Sequence, residues 1–184
     1  TLSKLISSSD IQERYWVNEC LLGLQEKGLH NNEYLARLEI EADVIKFIGD
    51  RLGTCLYAYF NTFKHYIDLF WDCGSIVGPG RGSATGFLSN YLLGITQLDP
   101  IEWNLPFWRY LNEERTELGD IDLDLCPSKR PLILKRIKEA NENYFNKAHR
   151  LRYPFVEYFA TNRFYCIDAR NFEEVQRIGK MMLK

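Results

Sequence analysis

Paired cysteines are missing from this chain. Its five copies, Cys20, Cys55, Cys73, Cys126 and Cys166, are odd in number and scattered, and no two form a CxxC motif. That pattern argues against a disulfide framework or a zinc knot and predicts reduced thiols in a core. Also missing are an apolar run near the roughly 18 residues of a membrane span and a charged-then-apolar leader after Thr1, so a soluble, cytoplasmic chain with no membrane partner is expected. His30, His65 and His149 have no acidic or Cys residue at ligand spacing and are assigned no chemistry. Internal repeats, linkers and low-complexity tracts are absent as well.

A large excess of one charge is lacking too. The 23 Lys and Arg against 25 Asp and Glu leave a formal charge of -2, which disfavours a uniformly phosphate-gripping surface and shifts attention to local distribution. The segment Lys129–Arg152 carries eight Lys and Arg, and reads either as a nucleic-acid face or as a solvated helix face. With 46% apolar residues in 184, one good core can be buried.

Helical spacing is present over Asp10–Gly28, through Tyr15, Trp16, Cys20, Leu21 and Leu24, with Gly28 as a C-cap. A second helix follows Asn31, stopped by Gly49 or Gly53, while residues 1–9 are expected to fray. The aromatic stretch 54–73 is read as a strand turning helical near Asn61, its rings serving the core. Leu98–Pro106 reads as extended, and Phe107–Leu111 as a short helix. Pro127–Pro131 opens a helix with Leu132, Leu134, Ile137 and Ala140 inward, and later a strand over Arg163–Asp168 and a helix over Glu173–Leu183 are expected.

Two stretches carry chemistry. The first is Gly78-Pro79-Gly80-Arg81-Gly82-Ser83-Ala84-Thr85-Gly86, set between the apolar run Ser75-Ile76-Val77 and a short buried helix over Phe87–Leu93. Glycines such as Gly80 and Gly82 let backbone approach an anion, a helix N-terminus favours negative charge, and Arg81 and Ser83 add side-chain donors. No Lys follows the last Gly, so this is not a Walker loop, and the dinucleotide fingerprint has different spacing. A plain chain reversal is the alternative.

The second stretch is Gly119-Asp120-Ile121-Asp122-Leu123-Asp124-Leu125. At strand period its aspartates share one face and its apolar residues the other. Carboxylates about 6.5–7 Å apart at Cα repel by roughly 2–2.5 kcal/mol at an effective dielectric near 20, which invites a cation. Hard oxygen donors favour magnesium, manganese or calcium over zinc. An EF-hand is set aside, because Leu125 and Pro131 stand where its Gly and Glu belong. A solvated edge strand is the alternative.

Taken in order, Gly78–Ala84, Tyr91-Leu92-Leu93-Gly94-Ile95-Thr96 with Asp99-Pro100, Arg109–Arg115 and Asp120–Asp124 resemble the palm of the family C bacterial replicative DNA polymerases, the polymerase III alpha subunits. The likeness extends more weakly upstream through Tyr34–Ile45. It implies an α+β nucleotidyltransferase fold like that of polymerase beta, a small mixed sheet with helices packed on one face. It further implies a DNA-directed DNA polymerase that uses two Mg2+ ions, with Mn2+ as a substitute. The implied partners are primer-template DNA, a deoxynucleoside triphosphate and the remaining polymerase domains or replisome subunits.

Carried over residue by residue, the resemblance makes Gly82 and Ser83 the triphosphate grip, with Arg81 and Gly80 beside them. Asp122 and Asp124 become the catalytic, metal-holding aspartates and Asp120 a supporting carboxylate. Arg109 and Arg115 are candidates for triphosphate contact or for salt bridges. The formal candidate for a third carboxylate is Asp168, although its neighbourhood looks more like the segment leading up to the strand that carries that residue. Gly119 stands where the family has Pro, Leu125 where it usually has Phe, and Phe87 where a small Ser is common. The expected organisation is a palm module over 1–148 and a C-terminal palm segment over 149–184, with the thumb absent or shortened and the chain a fragment inactive alone. The rivals are a non-catalytic palm-derived scaffold or binding module and a small nucleotidyltransferase acting on another acceptor.

Overall fold

The computed structural model describes residues 1–114 and 119–148, with side chains through 139. The chain divides into two units, Thr1–Cys126 and Pro127–Lys184.

In the first unit, Asp10 caps α2 (Ile11–Glu26) by accepting from the Gln12 N–H, and Asn31 caps α3 (Asn32–Leu52) by accepting from the N–H groups of Glu33 and Tyr34. Gly28 follows the end of α2 at φ 68°, and Gly53 closes α3 at φ 67°, a left-handed conformation that glycine adopts without penalty. Gly49 stays inside α3. A short α1 (Leu2–Ile6) precedes these helices. Its Leu5 is buried and the Thr1 amine lies 2.5 Å from Glu39 Oε1, so the expected fraying is replaced by a docked helix.

The aromatic stretch is helical from its start, as α4 (Tyr57–Asp72), with no leading strand. Its inward rings build the core: Trp16 packs 4.9 Å from Tyr57, Phe60 stacks 5.9 Å from Phe87, and Phe87 meets Tyr110 edge-on at 5.1 Å. The short helix after the glycine turn is present as α5 (Leu88–Leu92). Pro100–Leu105 is a closed turn where an extended connection was expected, because Asp99 Oδ1 accepts from the N–H groups of Ile101 and Glu102. Beyond it, Phe107–Arg109 forms one 3-10 turn. Cys20, Cys55 and Cys73 are thiols outside any disulfide.

The expected mixed sheet is corrected here. Among the described residues the architecture is helical, with no strand, and the run before the glycine turn meets the acidic stretch at a single antiparallel bridge, Val77 to Leu125. Side chains take up the backbone groups that a ladder would use. The Gly119 carbonyl accepts from the hydroxyls of Tyr59 (2.7 Å) and Tyr110 (3.3 Å), and the Cys126 N–H donates to Ser75 Oγ at 3.1 Å.

In the second unit, one 3-10 turn at Pro127–Lys129 leads into α6 (Arg130–Ala148). The buried residues there are Ile133 and Ile137, four apart, while Leu132 is exposed, so the inward stripe is offset from the one expected. The expected segment 149–184, including the strand over Arg163–Asp168 and the last helix, lies outside the described residues. No described helix is long and apolar enough to cross a membrane.

Helices α2 and α5 approach at Gly23, where a Cβ would fall on the Leu92 carbonyl oxygen. In an open helix, Ala in place of Gly stabilises by about 1 kcal/mol. Here overpacking wins, and Gly23→Ala is expected to lower urea stability by about 1–3 kcal/mol. A stabilised variant would show that the two helices do not pack at this distance.

Candidate active site

The glycine turn begins at the bridge. The Gly78 N–H donates to the Asp124 carbonyl at 2.8 Å, and a Cβ on Gly78 would lie 2.9 Å from Asp124 Cβ. Only glycine lets these backbones meet so closely. Gly80 (φ 123°) and Gly82 (φ 59°) both take left-handed conformations. Gly80 packs on Thr85 and Thr96, whereas a side chain at Gly82 would point into open space. Gly82–Gly86 is one 3-10 turn, whose leading N–H groups have no partner inside the turn by its own geometry.

The segment after α5 folds back to support that turn. Gly94 sits at φ 74° with the Ile95 N–H bonded to the Asn90 carbonyl at 2.8 Å, a Schellman-type stop. Gln97 N–H then donates to the Pro79 carbonyl at 2.8 Å, and Asn90 Nδ2 donates to the Ala84 carbonyl at 2.9 Å. Thus Asn90 and Gln97, which flank Tyr91–Thr96, bond the turn from both sides, and Thr96 packs on Gly80.

The expected anion site at the start of α5 is already taken. Glu41, on α3 and with no exposed surface, accepts from the Leu88 N–H (2.7 Å) through one carboxylate oxygen and from the Ser89 N–H (2.9 Å) through the other. Arg37, one helical turn earlier, donates Nε to the same carboxylate at 3.0 Å. Its Nη2 donates to the carbonyls of Gly86 (3.0 Å) and Leu105 (2.9 Å), and its guanidinium lies over the Phe107 ring. Sequence reasoning assigned neither residue a role. The signal was there: Arg37 and Glu41 are four apart, and Glu41 falls in the stripe of Leu38, Ala42 and Ile45.

In the acidic stretch, Asp120, Asp122 and Asp124 are exposed while Ile121, Leu123 and Leu125 are half-buried, the alternation read from the sequence. Asp124 meets the turn directly, its Oδ1 accepting from Arg81 Nη1 at 3.0 Å. Both side chains are about 60% exposed, so the pair contributes little to stability. The structure therefore brings Asp124 to Arg81 and Gly78. It does not gather the three aspartates: among the described residues no group of three or more His, Cys, Asp and Glu converges as a metal site. Ser83 is half-buried in the turn, Arg109 is exposed, and Arg115 and Asp168 lie outside the described residues.

Phe87 and Gly119 meet at one ring. Phe87 fills the core against Tyr110, and Gly119 lies so close to the Tyr110 ring that a Cβ would overlap it. Burial pushes the Tyr59 hydroxyl up, with Tyr110 and the carboxylates of Asp120 and Asp122 adding to the effect, so it stays a donor to Gly119. The two tyrosines hold the start of the acidic stretch.

Burial pushes Glu41 up to about 7, against the lowering by the Ser89 and Leu88 N–H groups and by Arg37. The folded protein then holds this proton at higher pH than the unfolded chain, whose glutamate titrates near 4.5. The associated stability is complete below 4.5 and is lost as pH rises through 7. Relative to Glu41→Gln, which cannot titrate, the wild type is expected to lose up to about 3 kcal/mol between those values, read from urea melts at a series of pH. A difference independent of pH would contradict a buried, titrating Glu41.

The sequence matches known proteins along most of its length. A family model described as the bacterial DNA polymerase III alpha NTPase domain matches residues 2–151. The DNA-directed DNA polymerase of Bacillus phage SPbeta is 37% identical over 150 residues, covering 75% of this chain and 11% of the relative. DNA polymerase III subunit alpha of Thermotoga maritima is 43% identical over 112 residues, 61% of this chain and 13% of the relative. The subunit of Escherichia coli O157:H7 is 39% identical over 115 residues, 62% and 9%. The chain spans roughly a tenth of the length of these relatives. Matched along most of its length, it belongs to the bacterial DNA polymerase III alpha family, in the part described as the NTPase domain.

Proposed function

We infer that this chain supplies the nucleotide- and metal-handling part of a DNA polymerase. The observation that carries this reading is the junction of turn and acidic stretch, where the Gly78 N–H meets the Asp124 carbonyl and Arg81 meets the Asp124 carboxylate. A site for a metal-bound triphosphate needs phosphate donors and hard oxygen ligands side by side, and this junction has both.

The donor set fits a divalent cation. Asp122 and Asp124 offer exposed carboxylates, and Arg81 already places a positive group on Asp124 Oδ1. Asp122 and Asp124 would hold Mg2+, two ions in the full site with Mn2+ as a substitute, and Asp120 would add negative potential. Bound there, the metal would lower the pKa of the attacking hydroxyl and neutralise the triphosphate.

The chain's own groups have separable tasks. The turn around Gly80, Gly82 and Ser83 receives the triphosphate through backbone N–H groups, and Arg81 turns from Asp124 toward phosphate oxygens. In the reaction, a primer 3′-oxygen bonds to the α phosphorus, the α–β phosphoanhydride bond breaks, pyrophosphate leaves, and the hydroxyl proton passes to solvent. Primer-template DNA and the other polymerase domains or replisome subunits complete the enzyme.

Isothermal titration with MnCl2 and MgCl2 tests the reading. Uptake by the wild type that is reduced at least about tenfold in Asp122→Asn plus Asp124→Asn is expected, given the loss of two charged ligands. No uptake, or uptake indifferent to both substitutions, would favour a non-catalytic scaffold.

A further inference from the structure

The α5 N-terminus is buried, and its first two N–H groups are bonded to Glu41. A phosphate has no access there. Arg37 bonds the carbonyl at the end of the turn, Gly86, while Glu41 bonds the N–H two residues later, Leu88. Opposite charges on one face of α3 thus grip both sides of the peptide pair through which the glycine turn becomes α5. The clamp extends to Leu105, and Gly86 itself presses on the next segment, since a Cβ there would lie 2.7 Å from the Pro106 carbonyl oxygen.

We propose that Arg37 and Glu41 are positioning residues for the triphosphate: they fix the exit of the glycine turn, and Glu41 occupies the Leu88 and Ser89 N–H groups, which leaves the Gly82–Gly86 turn and Arg81 as the phosphate receivers at this junction among the described residues. This rests on the nucleotide-handling reading above. Neither residue touches the nucleotide. Each acts through Gly86, Leu88 and Ser89, none of which belongs to the acidic stretch. Disturbing the clamp should therefore weaken triphosphate binding while leaving metal uptake at Asp122 and Asp124 intact. A global loss of structure would weaken both together.

Glu41→Gln keeps the shape and replaces one of the two accepting oxygens with an NH2 group that cannot accept from an N–H. Arg37→Lys keeps the charge but cannot bond the carboxylate and two carbonyls in the same fork geometry. Each variant and the wild type are titrated with magnesium dATP and, separately, with MnCl2, at a temperature where circular dichroism shows a native helical signal. Expected is a loss of dATP affinity of about tenfold or more in both variants with Mn2+ affinity changed less than about twofold. Unchanged dATP affinity, or equal losses for dATP and Mn2+, would overturn the assignment. So would failure of both variants to fold, which would assign the pair to stability; if only one folds, its two affinities decide. A wild type that binds no dATP would instead sink the nucleotide reading and this inference with it, whereas wild-type binding shared equally by the variants sinks this inference alone.

Discussion

A carboxylate with no exposed surface is the constraint around which the first unit is built. Removing Glu41 from water costs several kcal/mol unless its oxygens are answered, and three donors answer them: two backbone N–H groups of α5 and the guanidinium of Arg37. Those donors come from different parts of the chain. Meeting the needs of one side chain therefore locks α3 to α5, and through Arg37 to Gly86 and Leu105. The glycine turn hangs between these fixed points, with Phe87 buried beneath it on Phe60 and Tyr110.

The second support is aromatic. Tyr59 and Tyr110 converge on the Gly119 carbonyl and set where the acidic stretch begins, and the Val77 to Leu125 bridge sets where it ends. Between those anchors the aspartates face solvent. Phe87 and Gly119 both pack on Tyr110, Phe87 edge-on to its ring and Gly119 where a Cβ would overlap it.

Much of this was legible from residue pattern. Caps at Asp10 and Asn31, the short helix after the glycine turn, and the outward alternation of Asp120, Asp122 and Asp124 follow from local chemistry and periodicity. The sheet was not, because period-2 alternation reports which way side chains face and not whether a neighbouring strand exists. Here Tyr hydroxyls and Ser75 Oγ meet backbone groups that a ladder would have met. Stretch 54–73 misled for a related reason: aromatic residues favour strands by propensity, yet nine positions of α4 are buried, the first five of them consecutive, and packing overrides propensity. Glu41 escaped because a charged residue in an apolar stripe looks like an exposed helix position until its partners, some 47 residues away, are seen.

The central claim is that turn and acidic stretch form one site. Backbone amide NMR of the chain during a substoichiometric MnCl2 titration tests it most directly, since the paramagnetic ion broadens nearby signals whichever residue supplied them. Signals from Gly78–Ser83 and from Asp120–Asp124 should fade together, ahead of those from α2 and α4, and should return on chelation. Broadening confined to the aspartates, or spread evenly over exposed carboxylates such as Glu33 and Asp50, would contradict a shared site.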